Sequence, residues 1–451
     1  MDKNPKDRDK GRGQEGTDAL ASIGHRLAGR ESLDPLLDRI GEARSVLLGE
    51  ASHGTSEYYA WRQLISERLI QEKGFSFIAV EGDWPDCYRV NRYVKGAPNS
   101  GAGAREVLSA FDRWPTWMWA NEEVIVLIEW LRRFNEDLPE AERVGFYGLD
   151  VYSLWDSMHA VVQYLNRADP AAAQIAKYAY RCFEPYGEDV QEYARATAFV
   201  PASCEDEVVE ILRMFRERIP REKIQNDSDD RESAFNAEQN AFVAQNAERY
   251  YRTMVRGGAA SWNIRDIHMA DTLDRLMQLH GPGAKAIVWA HNTHIGDARA
   301  TDMAAGMVNV GQLVRERRGE EKVVLVGFGS DHGSVIAAAE WEAPMTVLPV
   351  PPAPEGSWEG RLHQIAPEDR MLIFQALDRL PAKERFYAPQ GHRAIGVVYH
   401  PNRERFGNYV SSVMPRRYDA FLYLDETSAL HPLHIQPRTE REPPETYPWA
   451  A

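Results

Sequence analysis

The chain has little cysteine and no long apolar segment. Its only cysteines are Cys87, Cys182 and Cys204, an odd number without C-x-x-C spacing. This pattern predicts neither a disulfide framework nor a cysteine zinc site, and it is typical of a cytoplasmic protein with reduced thiols. No apolar run approaches the ~18 residues that a membrane span requires. The sequence therefore predicts no transmembrane helix.

The N-terminal segment is also poor in apolar residues. Residues 1–18 are mostly charged residues and glycine, and they lack the apolar core of a signal peptide. We expect a disordered N-terminal tail over residues 1–30, one α/β domain over residues 31–440 and a C-terminal tail over residues 441–451.

Acidic residues outnumber basic residues, and the common nucleotide-binding and nucleophile motifs are missing. The 53 Lys and Arg residues against 68 Asp and Glu give a net charge of −15, which argues against binding to nucleic acid or to anionic membranes. The chain has no Walker loop, no G-x-G-x-x-G and no H-E-x-x-H, and residues 327–331 only approach a G-x-S-x-G elbow. We expect the partner to be a small-molecule substrate.

Short apolar, β-rich runs bounded by turn residues recur along the chain. Most are continuously apolar rather than alternating, as in strands covered by helices on both faces. With helical patterns between them, they predict an α/β fold whose mainly parallel central sheet is flanked by helices. The predicted strands are Ser45–Gly49, Phe77–Glu81, Val144–Leu149, Ala286–Ala290, Val323–Phe328, Ile395–Tyr399 and Phe421–Leu424. The predicted helices are Ser56–Lys73, Asn121–Asn135, Trp155–Asn166 and Asn309–Arg318.

A long stretch without β-rich runs separates the third predicted strand from the fourth. Residues 171–280 are rich in Ala, Glu, Arg, Gln and Tyr, and Pro201, Pro220 and Gly257-Gly258 divide them into separate helices. We expect a large helical insertion over about residues 155–280. The Pro-rich residues 349–358 are a candidate lid.

Titratable residues follow four of the predicted strands. They are Glu50 and His53 after the first strand, Glu81 and Asp83 after the second, Asp150 after the third, and His291 and His294 after the fourth. Ligands of open α/β sheets bind beyond the carboxyl ends of the strands, where the loops converge. We therefore expect these side chains to form one site. Glycines flank the first pair, and a helix N-terminus that favours an anion follows it.

Imidazoles and carboxylates without a thiol suit the activation of water. A histidine can deprotonate water while a carboxylate fixes its tautomer, and Arg62 on the following helix is a candidate for stabilising an oxyanion. These groups predict hydrolysis without a covalent intermediate or a cofactor. The alternative is a divalent metal held by Glu50, His53, His291 and His294.

Tryptophans are concentrated next to these strands. Trp84 follows the second strand, and residues 114–119 form the segment WPTWMW. Such residues either pack in the core or form the wall of a substrate pocket. Our candidate substrate-binding residues are Asp83, Trp84, Trp117, His294 and Asp150.

Several of these segments together resemble the erythromycin esterase family. They are Gly49–Gly54 (GEASHG), Val80–Pro85 (VEGDWP) and Trp289–His294 (WAHNTH), with further likeness in Phe146–Asp150, Ser261–Asp266 and Asp419–Leu433. The resemblance covers roughly residues 35–435. It implies an α/β fold of the erythromycin esterase and haem-binding ChaN-like type, with large helical additions.

The resemblance also implies roles for individual residues. His53 matches the histidine proposed as the general base that activates water, and His291 matches the second essential histidine. Glu50 and Glu81 match the acidic residues around the base, and Arg62 matches the cleft arginine. For His294 and Asp150 the resemblance implies no firm role.

We therefore expect a hydrolase that cleaves a carboxylic ester or a lactone. The sequence is more similar to the broad branch of the family than to the macrolide-resistance enzymes, so a macrolide is only one of the expected substrates. The alternatives are a metal-dependent hydrolase and a non-catalytic protein that binds a small ligand such as haem.

Overall fold

The computed structural model describes residues 20–186, 190–199, 203–218, 228–255, 257–380 and 383–434. The C-terminal tail, most of the N-terminal tail and the helix breaks expected at Pro201 and Pro220 lie outside these residues. Residues 20–30, which we assigned to the tail, belong to the fold instead, since Leu20 and Ile23 are buried and residues 24–26 form a strand.

The centre of the fold is a mixed sheet in which six neighbouring strands run parallel. Its strands are β1 (Gly24–Arg26), β2 (Ser45–Leu48), β3 (Phe77–Asp83), β4 (Gly145–Asp150), β5 (Ala286–Trp289), β6 (Val323–Ala337), β7 (Thr346–Val350), β8 (Arg370–Ile373) and β11 (Ala420–Thr427). Within the described residues their order is β1-β8-β11-β6-β2-β5-β3-β4, with β7 paired to β6. The run from β11 to β4 is parallel, whereas β1, β8 and β7 pair antiparallel. Strands β9 (Gln390–Arg393) and β10 (Tyr409–Ser412) form a separate antiparallel pair.

Helices cover both faces of this sheet. The helices before the insertion are α1 (Asp34–Ile40), α2 (Ser56–Lys73), α3 (Trp84–Val94), α4 (Ala104–Leu108) and α5 (Glu122–Glu136). The later helices are α12 (Asn292–Ile295), α13 (Val310–Arg318), α14 (Trp358–Ile365), α15 (Glu404–Gly407) and α16 (Met414–Arg417). Successive strand residues alternate between two apolar clusters, so that Val46 and Leu48 pack on one face and Leu47 on the other. The predicted α/β class with a mainly parallel sheet is confirmed.

Local sequence signals fix several element ends. Helix α2 spans the predicted residues. It ends at Lys73 because the next residue, Gly74, has a φ of 68°, in the left-handed region that favours glycine. Helix α5 begins after Asn121, whose side chain accepts a hydrogen bond from the Val124 N–H at 2.8 Å.

One predicted strand is wrong. Residues Ile395–Tyr399 make only isolated bridges, from Ile395 to Ser52 and from Val398 to Ala338. Ile395 and Tyr399 are buried all the same. The apolar run therefore reflects packing of an irregular segment in the core rather than a strand ladder.

Among the described residues between β4 and β5, six α-helices are present. They are α6 (Leu154–Ala168), α7 (Pro170–Tyr180), α8 (Val190–Phe199), α9 (Glu205–Arg218), α10 (Ser228–Met254) and α11 (Ala259–His280). The insertion has two small apolar clusters of its own. Gly257 and Gly258 separate α10 from α11, as the sequence predicted. No helix in the described ranges is both long enough and apolar enough to cross a membrane.

The expectation of reduced thiols is wrong for two of the three cysteines. Cys182 and Cys204 form a disulfide within the insertion, with their Cα atoms 5.9 Å apart. Cys87 is free and buried. Spacing alone gave no indication of this pair because helix packing brings the two residues together.

We expect thiol titration of the unfolded, unreduced chain to detect one thiol, that of Cys87, and three after reduction. Because the cross-link restricts the unfolded chain, reduction should also lower the free energy of unfolding, by about 3 kcal/mol. Thiol counts in denaturant and equilibrium denaturation with and without reductant measure the two effects. Three thiols in unreduced protein would contradict the assignment.

Candidate active site

The carboxyl ends of four neighbouring parallel strands meet at one edge of the sheet. The strands are β2, β5, β3 and β4, in that order. Glu50 and His53 follow β2, Glu81 lies in β3, Asp150 ends β4, and His291 caps the short helix after β5. All five side chains are buried. The strand-end pattern in the sequence thus corresponds to one cluster in space.

Glu50 is held on both of its oxygens. The Nδ1 atom of His53 lies 2.9 Å from Oε1 of Glu50, and Nη2 of Arg62 donates to Oε2 at 2.6 Å. The Arg62 guanidinium is fully buried and lies over the rings of Tyr59 and Trp289, 4.3 and 4.6 Å from their centroids. The Glu50 carboxylate, which contacts His53, is therefore held in place by Arg62, a cation that does not line the pocket.

The glycines that flank this segment are required for close packing. A Cβ on Gly49 would lie 2.0 Å from Oδ1 of Asn292, and one on Gly54 would lie 1.9 Å from the carbonyl oxygen of Ile336. The neighbouring turn after β5 and the strand β6 therefore press directly against the turn that carries Glu50 and His53.

Glu81 is the most heavily coordinated carboxylate of the site. Its Oε1 accepts from Nη2 of Arg265 at 2.7 Å and lies 3.3 Å from Nε2 of His294, while its Oε2 accepts from the main-chain N–H of His291 at 2.8 Å. Nε2 of His53 is 4.0 Å from the same Oε1. Burial raises the pKa of Glu81, but His294, Arg265 and His53 outweigh it and hold the pKa well below its usual range.

Arg265 on α11 joins Glu81 to the end of β4. It donates to both carboxylate oxygens of Asp150, at 3.0 Å from Nε and 2.7 Å from Nη2. Its guanidinium also lies over the Tyr152 ring, 4.9 Å from the centroid. Burial raises the pKa of Asp150, but Arg265 outweighs it and lowers that pKa. One buried cation thus pairs with two buried anions.

His294 lies behind Glu81 and is paired on both ring nitrogens. Its Nδ1 is 3.0 Å from both carboxylate oxygens of Asp266, its Nε2 is 2.9 Å from Nη1 of Arg265, and Trp262 stacks on the ring at 4.6 Å. Burial lowers the pKa of His294, but Asp266 and Glu81 outweigh it and raise the pKa to about 9. The imidazolium form, which donates to Glu81 rather than accepting from Arg265, is therefore favoured at neutral pH.

His291 lies against His53 and remains neutral. The ring centroids of the two histidines are 4.9 Å apart. Burial holds the pKa of His291 well below its usual range, and the neighbouring His53 lowers it further. The Thr293 N–H donates to Nδ1 of His291 at 3.3 Å, so the proton belongs on Nε2, which has no hydrogen-bond partner among the described residues.

A pocket opens above this cluster. His53, Glu81, Asp150 and Arg265 form part of its lining. The apolar walls are formed by Phe111, Met118, Trp119, Tyr152 and Val397. Reactive groups at the base of a pocket and apolar groups along its walls are the usual arrangement of a small-molecule site.

A second charged group lines the same pocket. Nε of Arg113 donates to Oδ2 of Asp83 at 2.5 Å, whereas Oδ1 of Asp83 has no partner among the described residues. Burial raises the pKa of Asp83, and burial raises that of Asp86 to about 7 despite the nearby Arg89. Asp83 thus offers a buried acceptor to whatever occupies the pocket.

Three predicted substrate contacts do not line the pocket: His294 lies behind Glu81, and Trp84 and Trp117 lie in the core. Trp84 donates from Nε1 to Oδ1 of Asn236 at 2.8 Å, and Trp117 packs edge to face on Trp114 at 5.5 Å. Both tryptophans are fully buried and neither lines the pocket. Trp119 is the tryptophan of that segment that reaches the pocket, where its Nε1 donates to the main-chain oxygen of Glu81 at 3.0 Å.

Sequence reasoning found Arg62 but missed two other arginines of the site, Arg265 and Arg113. Arg265 and Asp266 carry charge, yet they lie on the buried face of α11 with Trp262, Met269 and Leu273. That helical spacing was readable as charged residues on an apolar face, which marks a buried ion pair. Arg113 has no comparable indication because it lies in an irregular loop.

The residues of the metal alternative do not fit a metal centre. Glu50, His53, His291 and His294 are not among the described groups whose ligand atoms all lie within 4.8 Å of one another. The guanidiniums of Arg62 and Arg265 already occupy the carboxylates of this cluster. A further cation would be repelled by both arginines.

Comparison with known proteins extends over most of the chain. Residues 70–427 match the erythromycin esterase family. The Bacillus subtilis (strain 168) protein named "putative hydrolase YbfO" is 21% identical over an alignment of 414 residues, which covers 85% of this chain and 83% of that protein.

Two solved structures have the same fold. One, described as a succinoglycan biosynthesis protein, superposes with a TM-score of 0.72 at 22% identity, over 92% of this chain and 97% of that one. A mutant of the erythromycin esterase EreC in its open conformation gives a TM-score of 0.64 at 16% identity, over 89% of this chain and 95% of that one.

Replacing Arg265 by Met should strongly destabilise the fold, because it leaves Glu81 and Asp150 buried without their shared cation. We expect the free energy of unfolding to fall by about 3–5 kcal/mol in denaturant titrations. Adding Asp150→Asn to Arg265→Met should recover part of that loss, because it removes one of the two uncompensated charges.

The matched control is Arg105→Met, which removes an arginine that is 60% exposed and paired with Glu122. Its stability should stay close to that of the wild type. Equal effects of Arg105→Met and Arg265→Met would contradict the central position of Arg265.

Proposed function

The chain belongs to the erythromycin esterase family, and we propose that it is a hydrolase that cleaves a carboxylic ester or lactone with a water molecule activated by His53. Family membership and the relative named as a hydrolase support the reaction class. The observation that carries the proposal is the buried Glu50–His53 pair, whose imidazole lines the pocket.

Glu50 sets the tautomer of His53. An ionised carboxylate only accepts hydrogen bonds, so the neutral imidazole donates its Nδ1 proton to Oε1 of Glu50 over 2.9 Å. The lone pair is then on Nε2, the atom closer to Glu81. Glu50 also stabilises the imidazolium that forms when His53 takes a proton. Arg62 acts through Glu50 as a positioning residue, not as the oxyanion contact that the sequence suggested.

Glu81 and His53 together can hold the attacking water. The 4.0 Å between Nε2 of His53 and Oε1 of Glu81 is too long for a direct hydrogen bond and leaves room for a water that donates to both atoms. His53 removes one proton as the water oxygen bonds to the ester carbonyl carbon. The same proton then passes to the leaving alkoxide as the carbon–oxygen bond of the ester breaks.

His291 is the donor best suited to the developing oxyanion. Its imidazole is neutral and its Nε2–H has no side-chain partner among the described residues. His291 does not itself line the pocket, but its ring lies 4.9 Å from that of His53, which does. A donor that satisfies no other group gains most from the negative charge that develops in the transition state.

The walls of the pocket support an organic substrate with a polar group. Phe111, Trp119 and Tyr152 offer apolar contact, and the free oxygen of Asp83 accepts a hydrogen bond beside Arg113. A macrolide is one member of this class, and smaller esters and lactones are others.

Replacing His53 by Asn should remove the base while leaving the fold intact. We expect turnover to fall by about 10²–10⁴-fold, because this is the usual contribution of a positioned general base. The assay compares wild type and variant on p-nitrophenyl acetate and butyrate, on simple lactones and on erythromycin.

The matched control is His431→Asn, which removes an exposed histidine that is also paired with a glutamate, Glu123. Its turnover should equal that of the wild type. Undiminished turnover by His53→Asn would refute the mechanism. Tight binding of a panel member without any turnover would favour a non-catalytic binding protein instead.

Replacing Arg62 by Met should lower kcat by roughly 10–100-fold with little change in KM, because it loosens the carboxylate that orients the base without touching the substrate. Arg62→Lys should recover part of the loss. On the same helix, Arg68 pairs with Asp34 and Glu72 instead of Glu50, so Arg68→Lys should leave kcat unchanged. A rise in KM alone would indicate that Arg62 contacts the substrate.

A further inference from the structure

A second cluster of histidines and carboxylates lies outside the pocket. Asp331 and His332 lie in the second half of β6, His363 lies on α14, and Asp425 lies in the adjacent strand β11. None of the four lines the pocket described above. The proposed hydrolysis uses none of them.

The potential ligand atoms are spaced as metal ligands are. Oδ2 of Asp331 lies 3.1 Å from Nδ1 of His332 and 3.7 Å from Nδ1 of His363. One ligand atom of each of the three residues lies within 4.8 Å of the other two, and within the described ranges no other group of three meets this spacing. Four-coordinate zinc has bonds of about 2.0–2.1 Å to nitrogen and oxygen, which places its ligand atoms about 3.3 Å apart.

The charge around the cluster is negative and lacks a strong cation. The described ion pairs of Asp331 and Asp425 are made with His332 and His363 and not with any Lys or Arg. A third carboxylate, that of Asp369, accepts from the Asp425 N–H at 2.9 Å.

The guanidinium that contacts the main chain of Asp331 does not neutralise these carboxylates. Arg393 donates to the main-chain oxygen of Asp331, and its charge is paired with Glu404 at 2.7 Å. The imidazoles are thus the only partners of Asp331 in these ion pairs, and an imidazole can give up its proton for a metal ion.

We propose that Asp331, His332 and His363 bind a zinc ion through one carboxylate oxygen and one ring nitrogen of each histidine. Two imidazoles and a carboxylate are a donor set that zinc takes readily. The side chains of His332 and His363 are 33% and 41% exposed, so the ion can enter from solvent and keep water as its fourth ligand.

The zinc ion would have a structural role. It connects α14 with β6, and the carboxylate of Asp425 on β11 lies 2.8 Å from Nδ1 of His363. Helix α14 also carries Glu359, whose carboxylate meets His392, and Nε2 of His392 lies 3.2 Å from Nδ2 of Asn292 in the turn after β5. The site therefore fixes one side of the framework that supports the catalytic turn.

The test is a zinc titration of untagged protein that has been stripped with a chelator and desalted. We expect one zinc per chain by calorimetry, and a visible absorption spectrum of low-coordinate Co²⁺ when that ion is used instead. His332→Ala and His363→Ala should each weaken binding by about tenfold or more. Both side chains are partly exposed, so these variants should fold, and Asp331→Asn is a third test of the same group.

His431→Ala is the matched control, because His431 is another exposed histidine paired with one carboxylate. Its zinc affinity should equal that of the wild type. Absence of stoichiometric binding by the wild type, or equal binding by His332→Ala and His363→Ala, would overturn the proposal. Loss of binding in His53→Asn would also overturn it, since the ion would then lie in the candidate active site.

Discussion

The compensation of buried negative charge by Arg265 is the interaction on which the candidate site depends. Glu81 and Asp150 end adjacent strands and are both buried, and two carboxylates so close would not both remain ionised without a cation between them. Arg265 lies on α11 of the helical insertion, so the insertion contributes a residue that the site requires. The insertion and the sheet edge are therefore coupled, and a change in the packing of α11 would change the charge state of the carboxylate next to His53.

Two buried arginines of the site, Arg62 and Arg265, have different roles. Arg62 fixes Glu50 from inside the core, between two aromatic rings, and so fixes the orientation of His53. His294 and Arg265 together keep Glu81 ionised, and Arg265 does so from the pocket side. The imidazoles of His53 and His291 differ in their environment. Nδ1 of His53 meets the Glu50 carboxylate, whereas Nδ1 of His291 meets the main-chain N–H and the hydroxyl of Thr293. That difference suits one histidine to accept a proton and the other to donate a hydrogen bond, which is the division of roles that hydrolysis requires.

Much of the framework could be predicted from the sequence, because strands buried on both faces are continuously apolar and because parallel strands end at one edge. That reasoning alone brings Glu50, Glu81, Asp150 and His291 together at one edge of the sheet. The same reasoning failed where the structure depends on tertiary packing rather than on the local sequence pattern. Residues 395–399 are apolar because they are buried, not because they pair, and Cys182 meets Cys204 only through the packing of the insertion. Arg265 was missed because an argument from strand ends cannot find a residue on a helix. Arg265 lies on α11, more than a hundred positions after Asp150 at the end of β4.

The chemistry and the specificity of the site arise from different parts of the chain. The proposed reacting groups follow strands and are held by buried ion pairs, whereas Phe111, Arg113, Trp119 and Val397 come from irregular segments between elements. Loops of this kind can vary while the sheet edge stays fixed. A shared fold and family therefore constrain the reaction more than the substrate. In the proposed hydrolase, the aromatic wall and the Asp83–Arg113 pair would select the substrate, and a ligand that satisfies the free oxygen of Asp83 should bind best.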